Sequence, residues 1–110
     1  MARFDIYRNP IAPDRADFPF VIEIQSDLLY QFAERVCVPL ARPGAFPGMT
    51  ARFNPALTVG ASADGDEETA HLHPLGIAVF LQSELCQPCG HAKAHALDIE
   101  TALDMLLRGY

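Results

Sequence analysis

Phe18-Pro19-Phe20-Val21-Ile22-Glu23-Ile24-Gln25-Ser26-Asp27, followed after Leu28 to Glu34 by Arg35-Val36-Cys37-Val38-Pro39-Leu40, is the stretch on which the fold turns. Both halves are rich in β-branched and aromatic residues, which fit a pleated, half-buried surface. Phe18 to Gln25 reads as a strand, with Pro19 at its start, where no ladder donor is needed. Ser26-Asp27 closes it. Leu28, Leu29, Phe32 and Val36 are spaced for a helical face, yet the run from Arg35 is β-branched. The expectation is a short helical turn or loop and then a strand over Arg35–Leu40. Two adjacent apolar residues after a turn cannot both face inward on a strand. One of Leu28 and Leu29 is therefore expected at the surface, free for contact.

Working outward, Arg3-Phe4-Asp5-Ile6-Tyr7 alternates polar and apolar, the pattern of a strand with one buried face. Asn9-Pro10 and Ala12-Pro13-Asp14 punctuate a loop to about Asp17. Downstream, Pro43-Gly44 and Pro47-Gly48 mark an irregular loop over Arg42–Thr50. Arg52–Val59 reads as a fourth strand, with Pro55 suggesting an edge or bulge. Gly60–Glu68 is a turn centred on Asp64-Gly65, a hairpin signal, and Thr69–Leu72 returns as a fifth strand. Leu75–Leu81 is a strand or a buried loop, and Leu85–Cys89 is turn-like. Ile99, Ala102, Leu103 and Leu106 fall at i, i+3, i+4 and i+7, one face of a helix. Asp98 is placed to cap its start, Arg108 to meet its C-terminal dipole and Gly109 to end it. The sum is a mainly β chain with a C-terminal α-helix, a small, strongly curved barrel or half-barrel forming a single domain over residues 1–110.

The chain has 110 residues, half of them apolar, and a formal charge of −6 from 14 acidic and 8 basic residues. One domain of this size can bury a core, and dimerisation would bury more. No run approaches the roughly 20 apolar residues that span a bilayer, and Met1-Ala2-Arg3-Phe4-Asp5 lacks a secretory pattern. A cytoplasmic protein with no membrane partner is expected. Binding DNA through its phosphates takes clustered Lys and Arg. One lysine and seven dispersed arginines give no such footprint, so direct nucleic-acid binding is not expected.

Cys86-x-x-Cys89 with His91 and His95 carries four possible zinc ligands. With one residue between Cys89 and His91, however, all four would crowd into a single turn. The reading taken is no metal site, no redox site and no cofactor. Cys37, between Val36 and Val38, reads as a small buried residue. His71 and His73 alternate and are expected on one solvent-facing strand face. The acidic run Asp64, Asp66, Glu67, Glu68 lacks the spacing of a calcium loop and reads as a solvated hairpin tip. Ser26-Asp27 has no nearby histidine and reads as a turn rather than a nucleophile pair.

Several of these pieces resemble the CcdB family of toxin–antitoxin systems, in order and at similar distances. They are Phe4-Asp5-Ile6-Tyr7-Arg8-Asn9-Pro10, Val21 to Leu29 with its Gln25-Ser26-Asp27, Arg35 to Leu40, Phe53-Asn54-Pro55, and Ile99 to Gly109. The resemblance implies an SH3-like small β-barrel of the CcdB/MazF type and a homodimer built partly around the C-terminal helix. It also implies a CcdA-like antitoxin whose flexible tail wraps the toxin. It implies binding rather than chemistry, with no catalytic residue: such toxins insert between the arms of the DNA gyrase A subunit and trap gyrase on cleaved DNA, as topoisomerase poisons. By the same resemblance the gyrase contacts fall on Leu28, Leu29, Asp104, Leu107, Arg108, Gly109 and Tyr110.

One departure bears on activity. The well-studied gyrase poisons carry a tryptophan just before the penultimate glycine, stacked on a gyrase arginine, where this chain has Arg108. Such stacking contributes about 0.5–2 kcal/mol, and a guanidinium there meets a like charge. The alternatives are a family member that binds its antitoxin but is retargeted or inactive on gyrase, an endoribonuclease toxin of the related MazF-type fold, and a metal-binding module. The endoribonuclease needs an arginine-bearing groove with an acid–base set, and the charge of −6 weighs against it.

Overall fold

The computed structural model describes residues 2–59 and 67–109. Its organising element is a long strand, β3 (Glu34–Ala41), preceded in the chain by β1 (Asp5–Arg8) and β2 (Phe20–Glu23). After it come β4 (Ala56–Val59), β5 (Glu68–Leu72), β6 (Ala78–Leu81), β7 (Gly90–His91) and the helix α1 (Ala96–Arg108). One edge of β3 runs antiparallel to β2, from Phe20 opposite Leu40 to Glu23 opposite Cys37. Its other edge is shared. β6 takes the first half, Glu34–Cys37, and β5 takes Leu40 and Ala41. Sharing an edge between two strands curls the sheet, and the order β4-β5-β3-β2-β1-β7 nearly closes into an antiparallel barrel with one C-terminal helix. The expected small barrel is the fold observed.

Both faces of the central strands are covered, so they read as apolar runs rather than alternations. Inside the barrel Ile6, Ile22, Val38, Leu40, Leu57 and Leu72 pack with Ile99, Ala102 and Leu103 of α1. On the opposite face Tyr7, Val21, Cys37, Phe80 and Leu85 form a second cluster. Cys37 is fully buried, as expected, and burial with the nearby Glu23 charge pushes its thiol up to about 12. Phe4 has φ of 73°, a conformation that costs a residue with a Cβ about 1–2 kcal/mol. It is held there because its N–H donates to the Glu23 carbonyl while its own carbonyl accepts from Ala92. The twist turns the Phe4 ring into the core and leaves Arg3 outside.

Several expectations need correction. The helix begins at Ala96 after a 3-10 turn, Lys93–His95. Asp98 is thus in its first turn rather than its cap, and a negative charge there still suits the dipole. Leu106 is half-buried rather than in the core. Gly109 ends the helix with φ of 84°, and its N–H donates to the Asp104 carbonyl. The fourth strand starts only at Ala56. Before it Asn54 is buried and turns the chain, donating to the Leu72 carbonyl and accepting from the Thr50 N–H. β4 does lie at the end of the strand order, in keeping with Pro55.

His73 is not solvent-facing. β5 ends at Leu72 and Pro74 begins a 3-10 turn, so the alternation breaks. The His73 ring sits 4.6 Å from that of Phe46 and 5.3 Å from that of Phe18, and burial lowers its pKa. His71 is half-buried, with Nδ1 3.1 Å from the Asn54 carbonyl. Leu75–Leu81 resolves into a 3-10 turn and β6, and β7 was not anticipated. The Asp64-Gly65 turn lies outside the described residues. Among those residues no helix is long and apolar enough to cross a membrane.

Candidate functional site

Ser26 ends β2's extension by capping a 3-10 turn, Asp27–Leu29, its hydroxyl accepting from the Leu28 N–H. A short polar side chain competes well for such a backbone donor. The tight turn throws the next residues outward. Leu28 is 84% exposed and Leu29 42%. Both leucines, not one, are therefore at the surface. Tyr30 and Phe32 are exposed too, which residue spacing alone did not single out. Contiguous exposed apolar residues of this kind mark contact surfaces.

The C-terminal half of the candidate set lies on the last turns of α1. Leu107 is 74% exposed. Asp104 and Arg108 form an i, i+4 pair at 3.7 Å with about half or more of each side chain in solvent, so the pair adds little stability and leaves both charges available. Gly109 closes the helix at the surface. Tyr110 lies outside the described residues.

Arg3 joins the two halves. Its backbone N–H donates to Asp27 Oδ1 at 2.9 Å, and its Nε donates to the Ile24 carbonyl at 3.1 Å. Its Nη1 donates to Glu100 Oε1 at 3.0 Å, one helical turn before Asp104. The guanidinium also lies over the Phe4 ring, 4.4 Å from its centroid. A single residue, through its backbone N–H and its guanidinium, thus ties the Asp27–Leu29 turn to α1. Nothing in the sequence flagged Arg3, since its partners lie 24 and 97 positions away.

A buried ion pair lies beneath the turn. Glu23 and Arg35 approach to 3.5 Å with both side chains about 95% buried. Burial raises the Glu23 pKa, with Arg35 opposing. Tyr7 is buried nearby, and burial with the Asp5 and Glu23 charges raises its pKa.

The remaining candidates do not assemble into a metal centre. Cys89 donates its N–H to the Ile6 carbonyl, and His91 pairs with Asp5 across β7 and β1. His95 instead faces β4, its Nε2 accepting from the Thr58 N–H at 3.4 Å. His91 lies on β7 and His95 in the 3-10 turn Lys93–His95, so the four candidates do not gather in one turn. Among the described residues no three His, Cys, Asp or Glu side chains are grouped to hold a metal ion. A cavity of about 240 Å³ opens beside Phe18, His73 and Phe80. The amide of Asn9, which lines it, is spent internally on the Phe18 carbonyl and the Ile11 N–H.

The barrel with its capping helix and cross-linked outer face defines a small helix-capped β-barrel. A family model described as CcdB protein matches residues 3–109. The chain belongs to the CcdB family, and so is the toxin of a toxin–antitoxin pair with an antitoxin for a partner. No curated protein matches it. Among solved structures it is similar to an endoribonuclease from a mycobacterial species, with a TM-score of 0.66 at 20% identity, covering 97% of this chain and 90% of that one. At that identity the likeness bears on the fold alone.

Proposed function

We propose that this toxin acts by binding, not catalysis: as a cytoplasmic homodimer it engages the DNA gyrase A subunit and holds gyrase on cleaved DNA. The contacts are Leu28, Leu29, Asp104, Leu107, Arg108, Gly109 and Tyr110. The observation that supports this reading is the Arg3 bridge, which ties the turn carrying the exposed leucines to Glu100 of α1, the helix whose last turns carry the other contacts. Exposed Val79 and Leu81 on β6 supply apolar area for a second copy, and a two-fold dimer suits a two-fold target. An RNA-cleaving reading finds less support. The acid–cation pair Glu23–Arg35 is buried, and the chain's net charge of −6 repels phosphates.

A second reading has its own observation. Arg108 is 62% exposed in its side chain and occupies the place of the stacking tryptophan, which favours a toxin directed at a different target or an altered gyrase. One assay separates the two. The purified protein is mixed with gyrase from its own source, supercoiled DNA and ATP, and linear DNA is scored after denaturation. Linear DNA with the full chain, absent with a variant lacking Gly109 and Tyr110, supports gyrase poisoning. No linear DNA with either turns the assignment to another target.

A further inference from the structure

The exposed segment Leu28–Phe32 is not a free loop. Its backbone is gripped from the barrel side by two side chains. Arg35, 4% exposed on β3, donates Nη2 to the Tyr30 carbonyl at 3.1 Å and Nη1 to the Phe32 carbonyl. A further bond from Nη2 reaches Gln82 Oε1 at 3.3 Å, and the Glu23 carboxylate stands 3.5 Å from Nε. Gln25 completes the grip. Its Oε1 accepts from the Val36 N–H at 3.0 Å, and its Nε2 donates to the Glu34 carbonyl at 3.1 Å and to the Leu29 carbonyl at 3.5 Å. A planar fork of fixed donors suits this task and an ammonium does not, because the fork sets several carbonyl positions at once.

We propose that Arg35, oriented by Glu23 and assisted by Gln25, is the positioning residue of the target-binding face: it pre-forms the Leu28–Phe32 segment so that its apolar side chains meet the partner without first being ordered. This rests on the binding reading above. Segments that must be ordered on binding lose affinity through the entropy of ordering each side chain. Arg35 touches no partner itself. It acts through the carbonyls of Tyr30 and Phe32, as a second layer beneath the contact residues.

The test is a double-variant cycle with two readouts. Arg35→Lys keeps a cation opposite Glu23 but loses the fork. Gln25→Ala removes the second grip and serves if Arg35→Lys does not fold. The first readout is hydrogen exchange at the amides of Leu28, Leu29 and Phe32, which the segment itself bonds. These are expected to exchange at least about tenfold faster in either variant, while β2 and β3 amides keep their protection. The second is affinity for gyrase A, expected to fall about tenfold in Arg35→Lys and to show little further loss when Leu28→Ala is already present, since the two act through one contact. Unchanged exchange at the three amides, or losses that simply add, overturns the proposal. If wild-type protein binds no gyrase, the binding reading fails by itself, and the exchange readout alone decides the positioning claim.

Discussion

Arg3→Met isolates the bridge between the turn and the helix. The backbone N–H bond to Asp27 survives in this variant. What goes is the Nε bond to the Ile24 carbonyl, the ion pair with Glu100 and the guanidinium over the Phe4 ring, the last contributing about 0.5–1 kcal/mol. The pair involves side chains 35% and 48% exposed, so solvent screens it to below about 1 kcal/mol. The bond from a charged donor to a part-buried carbonyl contributes about 1 kcal/mol net once the same discount is made. The expected loss is about 2 kcal/mol, a fall in Tm of roughly 8–12 °C for a domain of this size. Thermal unfolding followed by circular dichroism measures it. Glu100→Gln alone should cost less than about 1 kcal/mol, should lose its effect in high salt, and should cost nothing in the Arg3→Met background. If Glu100→Gln costs as much as Arg3→Met, or the two add, Arg3 is not the bridge described.

Leu28→Ala and Leu107→Ala should each leave Tm within a degree or two, since both side chains are mostly in solvent, yet weaken target binding by about 1.5–3 kcal/mol if fully buried at the interface. An unaltered affinity in a direct binding assay for both removes these residues from the contact. With a thiol-reactive dye at neutral pH, Cys86, exposed, should react first. Cys89, exposed as well but with its thiol pKa raised by partial desolvation, should follow more slowly, and Cys37 should stay silent until the protein unfolds; early labelling of Cys37 contradicts its burial. Glu23 gives a pH prediction with a definite sign. Its folded pKa is raised above the ordinary 4.5, mainly by burial. The folded state therefore takes up the proton first as pH falls, and the cost of a charged Glu23 is relieved through the folded pKa and gone below 4.5. Urea unfolding of wild type and Glu23→Gln from neutral pH down to 4.5 should show the wild type gaining relative to the variant on acidification. A relative loss reverses the assignment.

Local chemistry was enough for much of this fold. Ser26-Asp27 marked the end of a strand, and Leu28 and Leu29 after it could not both turn inward, because adjacent side chains of a pleat point to opposite faces. Ile99, Ala102 and Leu103 had to face a core, because they repeat at the helical period. Gly109 suited a left-handed stop, since it carries no Cβ. Those properties reside in a residue and its near neighbours, so a linear reading reaches them. Asp98 was misplaced by a single turn because several polar residues precede the helix and tertiary packing chose among them. His73 was misread because the alternation of β5 stops at Leu72, just before Pro74, and the stacking partner Phe46 comes from a distant loop.

By itself, then, the sequence determined the first five strands, the C-terminal helix, the acidic net charge and the exposure of one of the pair Leu28–Leu29. Only the tertiary structure decided that β3 shares one edge between β5 and β6, that Glu23 and Arg35 are sealed together beneath the contact segment, and that Arg3 ties that segment to α1. The difference is one of range. Periodicity, capping and turn chemistry act over a few residues. The bonds of Arg3 to Asp27 and Glu100 span 24 and 97 positions, and no spacing rule connects side chains that meet only once the sheet has curled.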